Sequence, residues 1–275
     1  MKNPRGVVIG GSAIVLTGVF FIVPFLFIFV IASKTLSESA LLRFSWPKQF
    51  VLLDNISQAF AARDYLMVIA FINSVILTVV SVAALVLFAA MVAYVWQRRT
   101  GRLGAWINAL VLAGLIVPPA IVPTIFVLQK LGLFKTMPGL ILIEIAYGLP
   151  FCILLFRAFI ASVPRELDEA ALVDGANPVQ IFFRVIFPVL RSVMMTVIIL
   201  QSVAIYNDFQ NPLYFLPGTE NATIQLTLLS FQSQFNTQYN LLFATILLVT
   251  IPPLVMFVFF NRKIVEGMAA GSVKG

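Results

Sequence analysis

Glu166-Leu167-Asp168-Glu169-Ala170-Ala171-Leu172-Val173-Asp174-Gly175-Ala176-Asn177-Pro178 places four carboxylates within nine residues, between two very hydrophobic segments. A polar, helix-forming insert cannot remain in hydrocarbon, so it must project from a bilayer to where a soluble partner can reach it. Pro164 suits a first helical turn, and Glu166, Asp168 and Glu169 fall where the helix dipole favours negative charge. Leu167, Ala170, Ala171 and Asp174 recur at i, i+3, i+4 and i+7, giving one narrow face of mostly small residues. Gly175 is placed to end this helix as its C′ residue. Asn177-Pro178 then supplies a cap and a first-turn proline for a second helix running towards Pro188. Taken alone, the stretch could equally be an ordinary amphipathic surface loop.

Composition sets the surroundings of the insert. Of 275 residues, 61% are hydrophobic and 11% charged, well outside the balance of a soluble domain. Predominantly apolar runs of about twenty residues or more recur, which defines a polytopic α-helical membrane protein. The single cysteine, Cys152, lies in an apolar segment and excludes an intrachain disulfide or a cysteine metal cluster. The absence of histidine excludes a histidine-based triad or zinc site, so no metal site is expected. The net charge of +7 is read as a membrane-orientation signal rather than as a nucleic-acid surface.

Six spans are expected, at roughly 6–32, 66–96, 103–128, 139–160, 185–209 and 241–261, with the polar insert at 163–184. Together they form one transmembrane domain over 1–275. The first span has a basic start like a signal peptide, but it is too long and lacks a clear cleavage site, so it is read as retained. Pro118, Pro119 and Pro123 should break or kink the third span. The sixth holds fourteen Leu, Ile, Val or Phe among its first twenty residues. On the insertion scale these favour membrane entry by about 4–8 kcal/mol. With six spans, twelve of the eighteen basic residues share one side with both termini: Lys2, Arg5, Arg98, Arg99, Arg102, Arg157, Arg165, Arg184, Arg191, Arg262, Lys263 and Lys274. The positive-inside rule therefore places both termini and the insert in the cytoplasm.

The order Glu169-Ala170-Ala171, three residues, Gly175, nine residues, Val185, one residue, Phe187-Pro188 resembles the EAA loop of ABC importer permeases. That family usually has Ile and Leu where this chain has Val185 and Phe187, and both departures stay apolar. Two further regions resemble carbohydrate permeases. One is Tyr206-Asn207-Asp208-Phe209 with Pro212-Leu213 and Thr227-Leu228-Leu229-Ser230-Phe231, where Tyr206 replaces a common Trp. The other is the tail Gly267–Gly275, which looks like that of one of the two permease subunits of maltose-type importers.

The resemblance implies an all-α, type I importer permease in a prokaryotic inner or plasma membrane, moving a sugar by alternating access. It implies a coupling helix at the insert, with Glu169, Ala170, Ala171, Asp174 and Gly175 meeting a separate ATPase. It further implies a second permease subunit, an ATPase dimer that binds the ATP and Mg, an extracytoplasmic solute-binding protein, and no cofactor or enzymatic activity in this chain. No G-x-x-x-x-G-K-[ST] loop is present, which agrees with an engine on another polypeptide.

Polar residues in or near spans are candidates for a translocation path: Asn73, Ser74, Gln201, Tyr206, Asn207 and Asp208. Helix–helix hydrogen bonding is the plainer role for such residues. Glu144, close to the end of its span, is read as interfacial. An ion-coupled secondary transporter would use Glu144 or Asp208, but no inverted repeat or carboxylate relay is visible. A permease of the same class for a non-sugar solute is the other alternative.

Overall fold

The computed structural model describes the backbone of residues 4–99, 101–218, 221–232 and 237–272, with their side chains except at 4–15, 230 and 261–272. Among the described residues every regular element is helical. That follows from the solvent, because a chain in hydrocarbon must satisfy its backbone groups internally and a helix does so within one segment. In order come α1 (Pro4–Ala32), α2 (Leu36–Ser39), α3 (Leu52–Arg98), α4 (Arg102–Ile116), α5 (Ile121–Lys130), α6 (Met137–Ile160) and α7 (Glu166–Val173). There follow α8 (Pro178–Val189), α9 (Arg191–Tyr206), α10 (Gln210–Phe215), a 3₁₀ segment (Ile224–Phe231) and α11 (Tyr239–Ser272).

Three helices are individually long and apolar enough to cross a membrane: α3, α6 and α11 as far as Phe260. The pairs α4–α5 and α8–α9 pass the same test only together, bent by 116° and 75°, so they raise the number of crossings to as many as five. In α1 the described apolar stretch, Leu16–Ala32, is shorter.

Each interruption has a local cause. Val117 is extended with ψ 120°, as expected of a residue preceding Pro118, and this separates α4 from α5. In α8 the stretch Ile181–Ile186 is a π-helix, and the amide of Phe187 donates to the carbonyl of Phe182. Pro188 has no N–H and its ring crowds the carbonyl four residues back, so the turn before it widens. Within α3, Ala62 is extended and Arg63, Asp64 and Tyr65 have φ of +49°, +54° and +59°, so a new helical run begins at Leu66.

The chain forms two compact units, one of Met1–Ile69 with Leu226–Ile251 and the other of Ala70–Gln225 with Pro252–Gly275. In the first, polar side chains tie down the connection after α1. The Asn55 amide donates to the carbonyls of Ala32 and Lys34, both at 2.8 Å, and Asn240 donates to Asn55 Oδ1 at 2.8 Å. Lys34 is almost fully buried, its ammonium donating to the Arg43 carbonyl at 2.6 Å and to Ser45 Oγ at 3.2 Å.

In the second unit the core is Leu85, Ala89, Ala90 and Ala93 of α3 packed with Leu140, Cys152, Phe156 and Ile160 of α6 and Ile186 and Leu190 beside them. Alanines at this seam let helix backbones approach closely, which is how helices pack where lipid supplies no hydrophobic drive. Apolar side chains also cover the outside: Phe20 is 83% exposed, Trp106 70% and Phe259 76%. Such a surface belongs in lipid.

Candidate functional site

The insert folds as helix, turn, helix. Glu166, Asp168 and Glu169 occupy the first turn of α7. The chain reverses at Gly175, whose φ of +77° lies in the left-handed region that glycine tolerates, with its amide donating to the Leu172 carbonyl. Asn177 then closes a capping box at the start of α8: its Oδ1 accepts from the Gln180 amide and its own amide donates to Gln180 Oε1, both at 2.9 Å. Glu169, Ala170, Asp174 and Gly175 are exposed, and Ala171 alone of the small-residue face is buried. Leu172 and Val173 are exposed beside them, at 56% and 88%. The insert therefore offers carboxylates and aliphatic groups side by side.

Asp168 is the exception among the four carboxylates. It pairs with Arg98 at the end of α3, Nη2 lying 2.9 Å from Oδ2, with both side chains largely covered. Its other oxygen accepts from the Tyr94 hydroxyl. The same Arg98 nitrogen donates to the carbonyls of Val163 at 3.2 Å and Pro164 at 3.4 Å. One residue earlier, the Gln97 carbonyl accepts from Arg165 at 3.3 Å and its side-chain oxygen from Arg157 Nε at 3.3 Å. The Arg157 guanidinium also lies 3.6 Å from the centre of the Trp96 ring, a cation–π contact. Tyr94 packs on Phe182 of α8, ring centres 5.5 Å apart. The last turn of α3 thus gathers α6, α7 and α8. Sequence reading gave Arg98 an orienting charge and nothing more. No local signal marks the pair, since Arg98 is one of three arginines in Gln97–Arg102 and Asp168 one of four carboxylates in the insert.

The remaining residues singled out from the sequence divide by what they touch. Asn73 donates to the Ala222 carbonyl at 3.2 Å, and Ser74 Oγ accepts from the Ile224 amide at 2.8 Å, so both fasten the segment that leads into the 3₁₀ turn. Asp208 Oδ1 accepts from the amides of Gln210 at 2.8 Å and Asn211 at 3.3 Å, opening α10. Asn207 donates to the Val203 carbonyl at 2.9 Å and accepts from Gln225 at 3.1 Å. Gln201 and Tyr206 are buried on α9, and the Tyr206 hydroxyl has no hydrogen-bond partner among the described residues. Glu144 is buried, accepts from Asn211 at 3.3 Å and lies within hydrogen-bond reach of Asp208. The side chains of the tail at 267–275 lie outside the described residues. No group of acidic, cysteine or histidine side chains able to hold a metal occurs among the described residues.

Bent, apolar helices with an exposed polar insert define a membrane-spanning protein. Residues 85–269 match the family model of the binding-protein-dependent transport system inner membrane component, and the chain belongs to that family. It is therefore a multi-pass protein of a prokaryotic inner or plasma membrane. The diacetylchitobiose uptake system permease protein NgcG of Streptomyces coelicolor is 32% identical over 99% of this chain and 91% of its own. The melibiose/raffinose/stachyose import permease protein MelC of Bacillus subtilis is 32% identical over 74% of this chain and 75% of its own. A chain of a bacterial ABC transporter that imports the acidic polysaccharide alginate has the same fold, with a TM-score of 0.80 at 20% identity, covering 95% of this chain and 98% of that one.

Proposed function

We propose that this chain is one of two permease subunits of an ATP-driven, binding-protein-dependent importer of a sugar or oligosaccharide. It would cross the membrane six times with both termini in the cytoplasm. The observation that carries the reading is α7, which leaves Glu169, Ala170, Asp174 and Gly175 exposed while its other flank is fixed to α3. A surface built this way could transmit a push to the spans. ATP and Mg would be held by a separate ATPase dimer, whose closure drives alternating access, and an extracytoplasmic binding protein would deliver the solute. Family membership supports these partners, and the oligosaccharide relatives support the solute class.

The solute's path would run past Gln201, Tyr206 and Asn207, with Asn73, Ser74 and Asp208 holding its walls. The buried Tyr206 hydroxyl, without a partner among the described residues, supports this, since it can exchange hydrogen bonds with a polyhydroxylated solute. An ion-coupled transporter would use the Glu144–Asp208 pair, which is within hydrogen-bond reach. Asp208 also opens α10 and Glu144 also accepts from Asn211, and family membership favours the ATP-driven reading.

The test is purification of the chain in detergent, wild type beside Glu169→Lys and Gly175→Asp, with ATPase activity assayed in what co-purifies. An ATPase should accompany the wild type and be lost or uncoupled in both variants. Association of no ATPase, with uptake following an ion gradient, would overturn the reading.

A further inference from the structure

We infer that Asp168, held by Arg98 and Tyr94, is a positioning residue that makes α7 and the C-terminal end of α3 one mechanical body during transport. The inference rests on the coupling reading above and extends it to residues outside the insert's exposed face. Covalently, the insert joins only α6 on one side, through Ala161–Arg165, and α8 on the other, through the turn at Gly175. It has no chain connection to α3. Whatever force the insert receives reaches α3 only through side chains.

Those side chains are arranged for that task. Tyr94 and Arg98 are four residues apart on α3 and so share a face, from which each takes one oxygen of Asp168. Arg98 also grips the two carbonyls, of Val163 and Pro164, at the point where the chain leaves α6 for α7. The pair is largely covered, so salt and water screen it far less than a surface pair. Of the insert's four carboxylates, this one is spent inward while Glu166, Glu169 and Asp174 stay exposed. Without the latch, the exposed face could still hold an ATPase. Its motion would then be taken up by rotation about the Pro164 and Gly175 ends of α7.

The experiment reconstitutes the chain with its partner permease, ATPase and binding protein in liposomes and measures ATP hydrolysed per solute transported. In Arg98→Gln the ATPase should still co-purify, while ATP used per solute rises by about five-fold or more, the lower end of ordinary coupling free energies. Arg98→Lys, which keeps the charge on Asp168, should stay close to wild type. The exchange of Arg98→Asp with Asp168→Arg should recover much of the lost coupling, which a purely local packing role would not. Should Arg98→Gln fail to accumulate, Tyr94→Phe carries the same comparison with a smaller expected loss. A wild-type ratio in Arg98→Gln, or an exchange as uncoupled as the single variant, overturns the inference while leaving the ATPase partnership intact. Failure of the wild-type chain to hold an ATPase overturns both.

Discussion

Two glycines show how different physical demands select the same residue. A methyl group on Gly139, in the first turn of α6, would sit 2.1 Å from the Leu133 carbonyl oxygen, a backbone atom that cannot rotate away. Gly175 has open space around it but a φ of +77°. Gly139→Ala should therefore cost about 1–3 kcal/mol through overpacking. Gly175→Ala should cost about 1–2 kcal/mol through backbone strain alone. Thermal unfolding of the detergent-purified chain should rank them in that order, and Gly175→Asn should fall between Gly175→Ala and wild type because Asn tolerates the left-handed region better. If Gly175→Asn were no better than Gly175→Ala, conformation would not be what the position selects. Only one of these demands could be read from the sequence. The turn at Gly175 follows from its place after an apolar-periodic segment, whereas the approach of Leu133 to Gly139 depends on how the Leu131–Thr136 connection folds back.

At the scale of elements, the insert was legible because its signals are local. Carboxylates at a helix start, a glycine at its end and Asn-Pro at the next start act within a few residues of one another. Asn177→Ala removes the acceptor of the capping box and should cost about 1 kcal/mol of local stability. Hydrogen exchange of the first amides of α8 should then quicken by about five-fold; an unchanged rate would mean tertiary packing alone holds this turn. The π-helical stretch of α8 was not legible, since an apolar run before a proline reads equally as a straight span. Its cause can be tested through Pro188→Ala. If the missing amide and ring crowding widen the turn, the 75° bend between α8 and α9 should relax. The distance between spin labels at Val179→Cys and Met195→Cys, in a Cys152→Ser background, should then lengthen. An unchanged distance would assign the bend to the aromatic cluster of Phe182, Phe183 and Phe187 instead. The latch was illegible for a different reason: Arg98 and Asp168 are seventy positions apart, and nothing local marks the pair.

For the molecule as a whole, the decisive quantity is the sidedness of the insert. Twelve of eighteen basic residues fall on the side of the termini when the chain is threaded six times, and that bias is counted over short loops, where it governs topology. The described helices supply as many as five crossings by length and composition, with Leu16–Ala32 as the further apolar helix needed for six. The parity matters more than the number. One crossing fewer before α7 would turn Glu169 and Asp174 outward, where no ATPase could meet them. Cys152 is fully buried and is the only cysteine, so Cys152→Ser gives a clean background for single reporters. In intact cells, a membrane-impermeant maleimide should label Trp46→Cys, which is 71% exposed in the connection after α1. It should reach Glu169→Cys and Arg102→Cys only after permeabilisation. Labelling of Glu169→Cys from outside would reverse the topology and remove the physical basis for a cytoplasmic ATPase partner. The opposite pattern would fix α7 and the last turn of α3 on the ATP side of the membrane, where force applied to the exposed face of α7 would reach α3 through Asp168.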